Sequence, residues 1–415
     1  MSEKRDILFL CQYFYPEYVS SATLPYDTAK ALVKAGFSVS ALCGYPNEYN
    51  KDGEVPMEEV HEDIKIKRLK YLQLKRSNFV GRLINYFSFT FAVFLRFQSL
   101  KNYKSIIVYS NPPVLPLIAA WASRLFKTKM IFVSYDIYPE MAHITNSISE
   151  NGLISRMMQF INKRIYKNAN KVVALSNEMK EYLLQHREQL EEQQVEVIPN
   201  WYDAKPIEDV SKSYLNKKFI NLKSSENLIV SYFGNMGICQ DLDTILEAIR
   251  RLKNDDEIRF VFAGHGNKMD QLRKSVKEEH LDKAVVYDFL HGQDFQDALN
   301  ISDVFLVSLS DGLTGLAVPS KTYSYMMAGK PVIAIMGVQS DISKDLLENK
   351  AGFAMEVGEV EMLVNSIEEL KVDKKLRTEM GSNIRRVFEE KYTISKSTLK
   401  YVNMMKNVLE EKINV

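Results

Sequence analysis

The stretch PSKTYSYMMAGKPVIA, Pro319–Ala334, decides how the rest of this chain reads. Pro319-Ser320 is a good entrance to a helix, because a serine oxygen can accept from the open N–H groups of a first turn. Tyr323, Met326 and Met327 then recur at helical spacing. The run stops at Ala328-Gly329, where glycine tolerates the left-handed backbone of a helix end. After Lys330-Pro331, the β-branched run VIAIM reads as a buried parallel strand. The flexible DGLTG, Asp311–Gly315, precedes the helix, and Lys321 lies in its first turn. Such a helix N-terminus suits an anion: open amides and the helix dipole attract a phosphate, and the lysine adds a full charge. The same residues also make a plain helix–strand unit of a doubly wound sheet, so this stretch alone leaves both readings standing.

Outward from it, a chain of 415 residues exceeds one ordinary core and predicts two domains. With 46% hydrophobic and 26% charged residues the composition is that of a globular protein. The net charge of +1 conceals an asymmetry, since no Asp or Glu occurs between Asp63 and Asp136 while that span holds thirteen Lys and Arg residues. Cys11, Cys43 and Cys239 are odd in number, lack metal-ligand spacing, and read as reduced, buried thiols of a cytosolic protein. The N-terminal MSEKRDILFL enters a strand almost at once, so no signal peptide is expected. Asn254-Asp255-Asp256 resembles a metal motif but falls between a helix and a strand, and it reads as a turn.

Asp6–Leu10 is expected to be a strand, CQYFYPEYVSSAT a loop, Leu24–Ala35 a helix and Ser38–Cys43 the next strand. This is how a mononucleotide-type domain opens, although the glycines of a dinucleotide fingerprint are missing. The segment after it is unusual: turn-rich GYPNEYNKDG, then basic KIKRLKYLQLKR, then NFVGRLINYFSFTFAVFLRFQSL, which looks helical and apolar nearly all round. Leu83–Leu95 carries Asn85 and is shorter than the roughly 20 residues a spanning helix needs. It reads either as a core helix with a solvated basic approach or as an interfacial helix on an anionic leaflet. The acid-free span favours the leaflet. No nucleic-acid motif is present.

Alternation then resumes. Strands are expected at Ser105–Tyr109, Met130–Ser134, Lys171–Leu175 and Val195–Ile198, with helices at Leu117–Leu125, Ile154–Asn168 and Glu178–His186. Asp136 and Glu140 follow a strand end, where open α/β sheets bind ligands. After the polar segment to Asn227 the plan repeats, with LIVSYFGN, Ile258–Ala263, Val285–Phe289 and Val304–Val307 as strands. Helices Lys374–Glu389 and Ile394–Ile413 close the chain.

The ordered set QYFYPE, NPP, YDIYPE, VVALS, VIPNWYD, YFGNMG, FAGHG and PSKTYSYMMAGKPVIA resembles the family-4 retaining glycosyltransferases of the GT-B fold. It is most similar to the branch that builds bacterial capsule and O-antigen sugars, such as N-acetyl-fucosamine transferases. The resemblance implies an α/β architecture of two doubly wound Rossmann-like domains facing across a cleft. Residues 1–203 would form an acceptor-binding domain, 204–225 a linker, 226–390 a nucleotide-sugar-binding domain, and 391–415 a helix returning to the first domain.

It also implies site residues. Asn235, Gly264, His265 and Gly266 would lie beside the nucleotide, and Phe289, Leu290 and His291 would border the base. Asp311, Gly312, Leu313, Thr314, Gly315 and Leu316, with Pro319, Ser320 and Lys321, would hold the sugar and diphosphate. Asp136 and Lys321 would be catalytic, and Ser20, Ser21, Ala22 and Thr23 in the first loop would approach the diphosphate. The donor would be a nucleotide-sugar, UDP-linked, with no cofactor and no metal. The acceptor would be a lipid-linked saccharide at an anionic membrane surface, placing the protein on the cytoplasmic face of the plasma membrane, with partner transferases possible and no nucleic acid. Two departures stand out: relatives' Glu-x7-Glu positions are Leu316 and Ser324 here, and their Arg and Lys positions are Asn235 and Gln240. A catalytically silent subunit that regulates a partner transferase is the alternative these departures raise.

Overall fold

The computed structural model describes residues 4–46, 53–74, 79–204, 216–222 and 227–410. Lys75 and Arg76, and the expected linker residues 205–215 and 223–225, lie outside the described residues. The chain divides into two compact units: Met1–Asn200 with Leu316–Val318 and Ile394–Val415, and Trp201–Gly315 with Pro319–Thr393.

The first unit is built on an eight-stranded sheet of order β3-β4-β2-β1-β5-β6-β7-β8. Its strands are β1 (Arg5–Leu10), β2 (Val39–Gly44), β3 (Glu58–His61), β4 (Ile64–Leu69), β5 (Tyr103–Tyr109), β6 (Lys129–Val133), β7 (Lys171–Ala174) and β8 (Val195–Val197). All neighbours are parallel except β3 and β4. Continuous apolar runs such as Ile7–Leu10 and Ile106–Val108 are buried, as a sheet covered on both faces requires. The C-terminal helix Ile394–Glu410 belongs to this unit and packs on helix Ser20–Lys34.

Three expectations are corrected here. Ser20, Ser21, Ala22 and Thr23 are the first turn of helix Ser20–Lys34 rather than the end of a loop. Small residues and Pro25 make the segment look like a loop, yet Pro25 is near enough to the helix start that its missing N–H forfeits a single bond. The basic run is likewise no irregular approach, because Ile64–Leu69 is a strand in register with β3, with Lys65 and Lys70 still exposed. Ile64, Ile66 and Arg68 point inward and are buried. Arg68 donates to Glu59 at 2.5 Å, Pro56 O at 2.7 Å and Tyr15 O at 2.9 Å, and Lys67 pairs with Glu58. The neutralising carboxylates stand just before the acid-free span, so the span is less bare than it reads. The third correction concerns thiols: Cys11 and Cys43 are buried, but Cys239, in the turn after a strand, is only half-buried.

Helix Phe79–Phe94 buries Phe89 and Val93 and leaves Phe87, Phe91 and Phe94 exposed. Its Asn85 is buried and exchanges two 2.8 Å hydrogen bonds with the backbone of Leu74. Among the described residues no helix is long and apolar enough to cross a membrane.

The second unit carries β9 (Leu228–Asn235), β10 (Ile258–His265), β11 (Ala284–Asp288), β12 (Val304–Ser308), β13 (Val332–Ile335) and β14 (Gly352–Met355). The sheet is parallel throughout, in the order β11-β10-β9-β12-β13-β14. Counted within the unit, that is strand order 3-2-1-4-5-6, the doubly wound arrangement. Its core joins Val230, Tyr232, Phe260, Phe262 and Leu306 of the sheet to helices Asp243–Leu252 and Val360–Val372. Strand β14 was not anticipated, since the four residues GFAM are too few to show a period.

Candidate functional site

Strand order reverses between β9 and β12 in the second unit, and a ligand crevice is expected at the carboxyl ends of those two strands. The residues there form one constellation. β9 ends in Gly234-Asn235, and Gly234 has φ +108°, a backbone that side chains rarely adopt. Gly264, on the neighbouring β10, is packed so tightly that an added Cβ would lie 1.8 Å from Gly234 O. These glycines let two strand ends meet without side chains between them.

Helix Lys321–Ala328 starts above that junction. Ser320 does not cap it: its backbone is already helical, φ −59° and ψ −20°, and its side chain makes no capping bond, which corrects the expectation from Pro319-Ser320. Thr322 N–H instead donates to Pro319 O at 3.1 Å. The helix is pinned to β9 by Tyr325, whose hydroxyl bonds both Phe233 N–H at 2.7 Å and Phe233 O at 2.8 Å. Lys321 reaches back across Gly234, and its Nζ donates to Asn235 O at 2.7 Å and to the Tyr232 hydroxyl at 2.8 Å. Burial pulls the Lys321 ammonium well below its ordinary range. His265 is lowered as well, first by burial and then by the Lys321 charge.

The flanking loops are stapled to this junction. Ser310 N–H donates to Cys239 O at 2.8 Å, and Leu313 is fully buried, which fixes the loop Asp311–Gly315. Gln240 spends its side chain on its own turn, accepting from Gly237 N–H at 2.8 Å. Lys268 Nζ donates to Gln240 O at 2.7 Å, bringing a second ammonium to the turn. Phe289 is exposed and lies 5.2 Å from the His265 ring and 6.5 Å from His291, while Leu290 is buried. Sequence reasoning missed Tyr232, Ser308 and Lys268. Tyr232 sits in β9 two residues before Gly234, which is the signal that could have found it.

In the first unit Asp136 follows β6, and both its N–H (3.3 Å) and that of Tyr135 (3.0 Å) donate to Ser110 Oγ at the end of β5. Burial raises the Asp136 carboxyl to about 6. Ala317 bridges Asp136, and Ile137 N–H donates to Leu316 O at 3.0 Å, so Leu316 packs with the first unit. Glu140 is held by Arg187 through two 2.8 Å bonds, which makes it a structural carboxylate. Among the described residues no group of three or more His, Cys, Asp or Glu is placed to hold a metal ion.

Two family models divide the chain between them. A "Glycosyl transferase 4-like domain" matches residues 22–201, and "Glycosyl transferases group 1" matches residues 214–387. The chain belongs to the GT-B glycosyltransferases. This glycosyltransferase is 26% identical over 304 residues to the probable glycosyltransferase WbjE of Pseudomonas aeruginosa, covering 73% of this chain and 74% of that one. It is 21% identical over 302 residues to a protein of Escherichia coli named for colanic acid biosynthesis, WcaI, covering 71% and 73%. Its fold matches that of Anabaena HepE, solved in complex with UDP, at a TM-score of 0.72 and 16% identity, covering 97% of this chain and 100% of that one. The two residues at which the chain departs from the Glu-x7-Glu pattern are both buried: Leu316 is 2% exposed, and the Ser324 hydroxyl donates to Lys321 O at 2.7 Å.

Proposed function

We propose that this glycosyltransferase moves a sugar, with retention, from a UDP-sugar onto a lipid-linked saccharide in bacterial surface polysaccharide synthesis. The observation that carries the donor half is Lys321, an ammonium held over a glycine turn at a helix N-terminus and at the sheet's switch point. A leaving diphosphate develops negative charge, and preorganised amides with Lys321 stabilise it most in the transition state. Phe289, His265 and His291 offer a wall for a base. The bond from the sugar's anomeric carbon to the diphosphate breaks as the acceptor hydroxyl bonds to that carbon on the same face. The hydroxyl proton passes to the leaving phosphate oxygen. Asp136, polar and half-buried at its strand end, faces sugar or acceptor in this reading. The chemistry needs no metal and no cofactor. HepE, solved with UDP, and the name of WcaI support the donor and the pathway class respectively.

A lipid-linked acceptor requires the enzyme at the inner face of the plasma membrane. The attachment is peripheral, through exposed Phe87, Phe91, Phe94 and Leu95 with Trp121 and Leu125 alongside. Phe94 and Trp121 lie 6.3 Å apart, and neither helix Phe79–Phe94 nor helix Leu115–Phe126 carries an acidic residue. Such a face suits an anionic leaflet.

The second reading is a silent subunit that binds a partner transferase, favoured by Leu316 and Ser324 where glutamates were expected. Thermal stabilisation by a panel of sugar nucleotides, followed by UDP release from the best of them, separates the two. UDP release supports the enzyme, and stabilisation without any turnover on supplied lipid-linked acceptors supports the silent subunit.

A further inference from the structure

We infer that Tyr232 is a positioning residue that aims the Lys321 ammonium without cancelling its charge. The inference rests on the reading that Lys321 meets the donor diphosphate. Tyr232 is fully buried on β9, and its hydroxyl lies 2.8 Å from Lys321 Nζ and 3.3 Å from Ser308 Oγ. Ser308 is itself fully buried and is the last residue of β12. The three side chains therefore span the β9–β12 switch point, with the ammonium at the outer end.

The direction of the hydrogen bonds follows from the donor inventory. A lysine ammonium only donates, so the Tyr232 oxygen accepts from it. The phenol proton must then go elsewhere, and Ser308 Oγ is the neighbour that can take it. Lys321 also donates to Asn235 O, which leaves the third ammonium hydrogen for a ligand. The aromatic ring contributes as well, because Nζ lies 4.0 Å from the Tyr232 ring centroid.

What the phenol does not do matters as much. Burial drives its ionisation upward, so it stays neutral beside the lysine. A carboxylate in that place would hold the ammonium equally well but neutralise it before any phosphate arrived. Tyr232 supplies an acceptor and a π face that favour the charged form of Lys321, opposing the burial that pulls its ionisation down, and adds no negative charge of its own.

Tyr232→Phe keeps the ring and removes only the hydroxyl. UDP affinity is expected to fall about ten-fold, the size of one lost hydrogen bond to a charged group. The alkaline limb of UDP binding should also move to lower pH, because the ammonium has lost an acceptor. Combined with Lys321→Ala, Tyr232→Phe should add almost nothing. Ser308→Ala should give a smaller loss of the same kind, and it decides the matter should Tyr232→Phe fail to fold. Wild-type affinity with an unmoved limb in a folded variant overturns the inference, as does a full additional loss in the double variant. If Lys321→Ala itself leaves UDP affinity unchanged, the donor reading fails instead.

Discussion

Lys321 Nζ donates to the main-chain oxygen of Asn235 at 2.7 Å, across a glycine whose place no other residue fills without strain. The lysine's reach thus depends on Gly234, φ +108°. Gly234→Ala puts a Cβ in ordinary contact with Lys321 Cε at 3.5 Å, so the cost comes from the backbone rather than from a clash. That strain amounts to about 1–3 kcal/mol. We expect a lower melting temperature together with weaker donor binding as Asn235 O shifts. An unchanged melting temperature means the turn relaxes freely and does not set the lysine.

Asp136 gives a pH signature. Its carboxyl is raised to about 6 by burial, so the folded protein holds that proton more tightly than the unfolded chain, whose carboxyl titrates near 3.8. Stability therefore falls as pH rises from about 4 to about 6, and the deficit persists above. Asp136→Asn should melt no lower than wild type at pH 8, lose any advantage at pH 4, and lose most turnover at both. Wild-type turnover should decline below about pH 6. A variant that melts well below wild type at pH 8 while the folded fraction turns over normally assigns Asp136 to the scaffold.

Arg68 belongs to the fold. Removing it takes the buried guanidinium away from Glu59 and from two carbonyl oxygens, those of Pro56 and Tyr15. Breaking such a pair costs about 3–5 kcal/mol, and Arg68→Met should fall at the lower end because Glu59 keeps some solvent. Chemical denaturation measures it. A loss below about 0.5 kcal/mol would place Arg68 among ordinary surface residues.

The membrane reading now depends on aromatic side chains. Wild type should bind vesicles with anionic lipid, less at high salt yet not abolished, and bind neutral vesicles much less. Phe91→Ser with Leu95→Ser should release it with melting unchanged, since both side chains are exposed. Protein that stays in solution with anionic vesicles at low salt defeats this reading.

Most of the parallel strands were legible because a strand covered on both faces reads as a β-branched run, as in VIAIM or LIVSYFGN. Strand β4 was not, because Lys65, Lys67 and Arg68 mask the alternation of Ile64 and Ile66. Lys321 was legible from its place in a first turn. Tyr232 was not, because its role depends on Ser308, 76 residues away on the strand that joins β9 only in the folded sheet.

Titration calorimetry with UDP, comparing wild type with Lys321→Ala, tests the donor site most directly. Wild type should bind UDP, and the variant should bind about ten- to a hundred-fold more weakly, the loss of one charge-assisted contact of about 1.5–3 kcal/mol. Equal affinity in the two proteins, or no binding by folded wild type, would contradict a UDP-sugar site built around Lys321.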